Sequence, residues 1–320
     1  MRSDWSVLST AAISLLQVIA VAIGGPLLVG VMRKVRCRIE GRVGPPVRQP
    51  LLDLRKLAHR QRMRPERASW IFPLAPLVLV ATTVVVAAIA PLLATDPALG
   101  WSADLFTIVY LLLLGSVVLG LGALDTGTAF GGMGASRALT IGAVAEPALL
   151  VSILALSVPA HSSNLAAIIA TSRVHPLLLA TPERLLALAA FVIVIVAECG
   201  RLPVDNPTTH LELTMIHDAM VLEYAGTDLA LVQLGESMRL TVLLSLLADL
   251  FLPWGIATGP GPAHLAISLI ALVAKVAVLG TVLAVFEVAM AKLRLFRVPE
   301  LMAGGFVLSV LAVVSALVLA

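Results

Sequence analysis

Apolar runs of membrane-crossing length recur along the whole chain, at approximately 6–32, 70–94, 105–125, 138–160, 184–200, 238–254, 264–291 and 302–320. Roughly 20 apolar residues suffice to cross a hydrocarbon layer about 30 Å thick when wound as a helix. Lipid offers no partner to exposed backbone groups, so such runs are expected to be helices rather than open strands. Charged residues make up 13% of the chain and mean hydropathy is +1.02, against about 25% charge in an ordinary soluble domain. That supply is too small to clothe a water-soluble surface of this size. The expectation is an all-α, polytopic integral membrane protein: one membrane domain over residues 1–320, with about eight transmembrane helices and amphipathic helices in its loops. The first run is longer than a signal-peptide core and leads into a basic loop rather than a cleavage site, so it is read as retained.

Basic residues set the expected orientation. Twelve of the 22 Lys and Arg fall between Arg33 and Arg67, in the loop joining the first two spans. The positive-inside rule places that loop in the cytoplasm and the N-terminus outside. Alternation then gives cytoplasmic loops at about 33–69, 126–137, 201–237 and 292–301, which hold Arg137, Arg201, Lys292, Arg294 and Arg297. The net charge of +3 is thus a topology signal and not a nucleic-acid one. Cys37 and Cys199 lack CxxC or His spacing, which supports neither a disulfide framework nor a metal site.

In the first loop, Gly41, Gly44, Pro45 and Pro46 permit a sharp turn. From Pro50 onward, Leu51, Leu52, Leu54 and Leu57 interleave with Asp53, Arg55 and Lys56, the pattern of a short amphipathic helix at the interface. This loop is either a basic tether to anionic headgroups or a docking platform for a soluble partner. The stretch Gly127–Gly134 is read as a glycine-rich loop, permitting mobility or close approach of another backbone. Asn206–Pro207 reads as a helix start, opening a half-buried surface helix from Thr208 to Glu223. Its His210 and His217 lie about 10 Å apart along that helix, too far to share a metal.

Ionisable groups at membrane depth cost several kcal/mol and mark ion or proton pathways. Glu146, followed by the helix-breaking Pro147, lies within the fourth span. Glu198 closes the fifth, with Arg201 read as its partner one turn on. Lys275 and Glu287 share the seventh span, about 18 Å apart. Asp125, Glu236 and Asp249 are read as end groups or structural ion pairs. The central expectation is a proton relay through Glu146, Glu198 and Glu287.

Three blocks carry a resemblance: G-R-V-G-P with Q-P-L-L-D-L-R-K-L in the first loop, E-C-G-R-L-P-V-D-N-P-T-T-H-L-E-L after the fifth span, and M-A-K-L-R-L-F-R-V-P-E-L before the eighth. With them the chain resembles the complex I subunit 1 family, and within it the hydrogenase-linked branch of formate hydrogenlyase- and hydrogenase-4-like energy-converting [NiFe]-hydrogenases. Quinone-reducing members carry several acids after the proline–aspartate element; here Thr208, Thr209 and His210 follow, leaving Glu212 as the retained acid. The resemblance implies a non-catalytic membrane subunit that couples redox chemistry in a peripheral arm to proton or sodium movement. By motif match, Glu198, Arg201, Asp205 and Glu212 would form the coupling element, continued by Glu146 and Glu287. Arg42, Gly44, Pro45, Gln49, Asp53 and Lys56 would meet the peripheral arm. The [NiFe] centre and iron–sulfur clusters are expected in partner subunits, since this chain has no cysteine set for a cluster. The implied partners are hydrogenase large and small subunits, iron–sulfur subunits, antiporter-like membrane subunits and the lipid bilayer. Alternatives are the quinone-site subunit of NADH:quinone oxidoreductase, a free-standing ion transporter, and a purely structural anchor.

Overall fold

The computed structural model describes residues 7–95, 99–174, 181–205, 215–257, 261–291, 293 and 297–319, with side chains from residue 10 to 318. Among the described residues the chain forms eleven α-helices and no strand. They are α1 (Val7–Ile39), α2 (Gln49–Ala58), α3 (Ile71–Ile89), α4 (Leu105–Asp125), α5 (Ala129–Ser157), α6 (Leu165–Val174), α7 (Pro182–Glu198), α8 (His217–Val221), α9 (Gly226–Phe251), α10 (Pro262–Ala289) and α11 (Val298–Leu319). Seven are long and apolar enough to cross a membrane: α1, α3, α4, α5, α9, α10 and α11. The expected fifth span is α7, whose 17 residues reach about 25 Å, at the short end of what spans a bilayer.

Several boundaries differ from expectation, and each difference has a cause. The first helix runs on through Arg33–Arg38, where Arg36 lines an interior cavity and pairs with Glu287 instead of meeting water at the interface. The fourth begins nine residues early. Thr128 caps α5 by accepting from the Gly131 N–H at 3.2 Å, so the glycine-rich segment is helix and the loop shrinks to Thr126–Thr128. Of its glycines, Gly134 serves close approach, since a Cβ there would stand 2.9 Å from the Ala219 methyl and the Ile216 carbonyl, whereas Gly127 and Gly132 face open space. The sixth span starts at Gly226, twelve residues early, because Asp228, Ser237 and Arg239 are buried in protein rather than set at an interface. The amphipathic α2 is present as anticipated, with Pro50 in its first turn. The expected surface helix reduces to α8, since Asn206–Thr214 lies outside the described residues.

Helix α9 is the central column; all but six of its 26 residues are buried. It packs most extensively against α3 and α1, then equally against α10 and α2, and more lightly against α7 and α6. Gly25 of α1 lets the two backbones touch, since a Cβ there would lie 2.8 Å from the Ser237 carbonyl. By contrast α10 and α11 expose long apolar faces, among them Ile267, Ile270, Val273, Val278, Val314 and Leu317. On the face away from the charged loops, the fully buried Gln17 side chain ties α1 to the end of α3. Its amide donates to the Ala87 and Ala90 carbonyls, each at 3.1 Å, and accepts from the Leu93 N–H at 3.0 Å. That satisfies carbonyls which the end of a helix otherwise leaves orphaned.

Candidate functional site

The loop-bearing end of the bundle encloses a cavity of about 1100 Å³. Its walls come from α1, α2, α3, α4, α5, α7, α8, α9 and the end of α10. Leu79, Leu113, Val117, Leu139 and Leu240 give it an apolar flank, while the buried Asp205, Arg239 and Glu287 are among its charged lining.

Two charged clusters meet there. In one, Arg239 of α9 donates to Glu198 of α7 and to Ser116 of α4, and its Nη2 lies 3.5 Å from Glu146 Oε1 of α5. These three charged side chains are only 5–8% accessible. In the other, Glu287 of α10 receives Arg36 of α1 and lies 3.5 Å from Arg201. The glutamate is 2% exposed. Each carboxylate of these clusters thus faces a guanidinium, Glu146 and Glu198 sharing Arg239, the arrangement that makes buried charge tolerable. With all groups ionised, the first cluster carries one excess negative charge and the second one excess positive charge. Both Arg36 and Arg201 keep a buried Nε without a partner.

The expected Glu198–Arg201 pair is therefore corrected. Helix α7 ends at Glu198 and Cys199 caps it, so Arg201 turns toward α10 while Glu198 faces α9. Glu198, Arg201 and Glu287 do line one cavity, with Glu146 joined to it through Arg239, and Arg239 and Arg36 hold the glutamates there. The sequence places Arg239 near the inner end of the sixth span without assigning it these acids, and puts Arg36 in an apparent surface loop. Asp205 is buried and has a local task. Its Oδ2 accepts from the Ile216 and His217 N–H groups, at 3.2 and 3.0 Å, fastening the start of α8. Glu212, His210, Lys292 and Arg294 lie outside the described residues.

On the α8–α9 wall, His217 Nε2 lies 2.6 Å from Glu236 Oε1. Burial pulls the imidazole pKa down, but Glu236, Asp218 and Asp205 outweigh it and raise the pKa to about 9. The ring is therefore charged at neutral pH. Of the first-loop residues, Arg42, Pro45 and Asp53 line the mouth of the cavity. Gln49 donates to Asp53 at 2.9 Å across one turn of α2, and Lys56 is exposed. Gly44 (φ 71°) lets its segment fold against Cys37, whose Cβ would be 2.8 Å from a side chain there. Asp125 accepts from the Ser69 N–H at 2.7 Å. Asp249 pairs with Lys275 at 3.1 Å, the ion pair that its reading allowed. Among the described residues, no three His, Cys, Asp or Glu side chains form a set that could hold a metal ion.

The sequence profile of the NADH dehydrogenase family matches residues 11–320. The chain belongs to the NADH dehydrogenase subunit 1 family. Among curated relatives, formate hydrogenlyase subunit 4 of Escherichia coli (strain K12) is 33% identical over 303 residues, covering 95% of this chain and 97% of that protein. Hydrogenase-4 component C of the same organism is 34% identical, with 90% of each chain covered. The membrane-bound sulfane sulfur reductase, an archaeal respiratory membrane complex, contains a chain of the same fold, with TM-score 0.83 and 22% identity over 96% of this chain and 99% of that one. Membership explains the three recognised blocks: two supply cavity walls, through Arg42, Pro45 and Asp53 and through Glu198–Asp205, while the third begins just beyond Glu287.

Proposed function

We propose that this chain is the membrane anchor and coupling subunit of a [NiFe]-hydrogenase or formate hydrogenlyase-type complex, linking redox chemistry in a peripheral arm to proton translocation. The observation that carries the reading is the meeting of the Glu146–Glu198–Arg239 and Glu287–Arg36–Arg201 clusters on one cavity. Two buried clusters of opposite excess charge form an electrostatic device: moving one guanidinium, or protonating one carboxylate, changes the balance of both. The similarity to formate hydrogenlyase subunit 4 and hydrogenase-4 component C along nearly the full chain supports the hydrogenase branch. In this reading the cavity side faces the cytoplasm, as the basic first loop suggests. Arg42, Gly44, Pro45, Gln49, Asp53 and Lys56 then meet the peripheral subunits. The [NiFe] centre and iron–sulfur clusters reside in those partners, and antiporter-like membrane subunits flank this chain.

The size of the cavity favours one second reading, a quinone site as in NADH:quinone oxidoreductase. Its apolar flank of Leu79, Leu113, Val117, Leu139 and Leu240 suits an isoprenoid tail, and the unpartnered Nε groups of Arg36 and Arg201 suit a headgroup carbonyl. Purifying the native complex through a tag on this chain separates the two. Nickel with hydrogen evolution supports the hydrogenase branch; inhibitor-sensitive quinone reduction without nickel supports the second reading.

A further inference from the structure

Helix α9 carries a second polar feature, outside the charged clusters. Ser237, Thr241, Ser245 and Asp249 recur every fourth residue and all are buried. Four residues make slightly more than one helical turn, so the four side chains form one gently curling line. Twelve residues of rise carry it about 18 Å through the bundle. It begins at the cavity, which Ser237 lines. It ends two residues before α9 does, at Asp249, whose Oδ1 accepts from Lys275 of α10.

A structural role accounts for only part of the line. Ser237 and Thr241 donate within the helix, to the Leu234 and Ser237 carbonyls, and Lys275 satisfies one oxygen of Asp249. Ser245 Oγ, on a residue 0% exposed, and Asp249 Oδ2, on a residue 1% exposed, have no hydrogen-bond partner. Two orphaned polar atoms one turn apart in a membrane protein require an explanation, and water is the usual one. The spacing agrees. Side chains four apart are separated by about 6 Å of rise, too far for a direct hydrogen bond but the right span for one bridging water. An acid facing such a file at membrane depth belongs to an ion or proton pathway.

We propose that this chain carries a proton path of its own, running from the cavity at Ser237 past the Thr241 and Ser245 hydroxyls and their bridging waters to the Asp249–Lys275 pair below the opposite face. It rests on the coupling reading above and gives that reading an outlet. A proton arriving through the file forms an O–H bond on Asp249 Oδ2 and releases the Lys275 ammonium from its ion pair. That bond breaks when the proton passes to water at the far face, and the pair closes again. One proton enters and one leaves, with no change in electron count.

The test uses the whole complex in inverted membrane vesicles, with hydrogen evolution and vesicle acidification followed on the same sample. Ser245→Val replaces the hydroxyl with methyl groups and leaves the ion pair untouched, so it reads the path even where Asp249→Asn fails to assemble. Ser152→Val, at a fully buried serine of α5 away from the line, is the control. Protons moved per hydrogen are expected to fall about twofold or more for Ser245→Val and Asp249→Asn, and to stay unchanged for Ser152→Val. An unchanged ratio in Ser245→Val overturns the path while leaving the coupling reading intact. Native vesicles that evolve hydrogen without acidifying overturn the coupling reading, and the path falls with it.

Discussion

Replacing Arg239 with glutamine removes the one cation that, among the described residues, faces both Glu198 and Glu146, 3.5 Å from the latter, in a place where all three side chains are 5–8% accessible. Two carboxylates are then left opposing each other with no countercharge. Stripping one partner from a buried ion pair costs about 3–5 kcal/mol, because the survivor stays desolvated. With roughly 2–4 °C of midpoint shift per kcal/mol in domains of about 150–250 residues, the apparent unfolding midpoint is expected to drop by about 6–20 °C. Glu198→Gln alone leaves Arg239 and Glu146 as a neutral couple, and its cost is about 1 kcal/mol. The double variant Arg239→Gln/Glu198→Gln is the decisive sample. It should recover about 2 kcal/mol relative to Arg239→Gln, since one of the stranded charges is gone. The assay is thermal unfolding of the detergent-solubilised complex at a fixed scan rate, because such transitions depend on rate. If the double variant merely sums the two single losses, or if Arg239→Gln costs under about 1 kcal/mol, the two-carboxylate geometry is not what holds this end of the bundle.

Further tests probe other parts of the molecule. The folded-state pKa of His217 is raised to about 9, above its ordinary 6.5, so the stability it adds through Glu236 is complete below about pH 6.5 and is lost as pH rises through about 9. Its edge is partly open to water, which holds the effect to about 1 kcal/mol; a His217→Gln variant should show a flatter midpoint between pH 6.5 and 9, and an unchanged slope there rejects the pairing. Gln17→Leu strands the Leu93 N–H and takes a donor from the Ala87 and Ala90 carbonyls, the latter keeping the Leu92 N–H, and is expected to cost about 2–4 kcal/mol, read as faster proteolysis next to the end of α3. Arg62 Nη2 lies 2.5 Å from Asp228 Oδ1, whose residue is fully buried, so Arg62→Gln should cost about 3 kcal/mol, whereas Arg64→Gln, with no ion pair, should cost under about 0.5. Equal midpoints for these two variants would remove the latch from the account.

The helices were legible because lipid imposes a simple length rule, and each expected span has its helix. Their ends were not. The stretches around Arg36, Gly134 and Asp228–Arg239 look like loop because they are polar or glycine-rich, yet each is helical where another element packs on it. The site was half legible for the same reason. A carboxylate inside an apolar run stands out, so Glu146, Glu198 and Glu287 could be picked from the chain. Their guanidinium partners come from Arg36 and Arg239, 251 and 41 residues from the acids they hold. Sequence proximity favoured Arg201 for Glu198, and only the packing of α7 against α9 redirects it. Gln17 gave no signal, since a lone amide in a membrane helix does not announce which helix end it serves.

Gln17 has a consequence beyond stability. An energised membrane does work on charge, about 2.3 kcal/mol per elementary charge per 100 mV, and so pulls on every carboxylate, ammonium and travelling proton in this protein. A neutral amide bound to two carbonyls and one N–H offers that voltage no net charge to pull on. The joint between α1 and α3 therefore grips equally on a charged and a discharged membrane. Against that fixed bracket, the charged groups of the cavity and of α9 are left as the parts that an electric field can move.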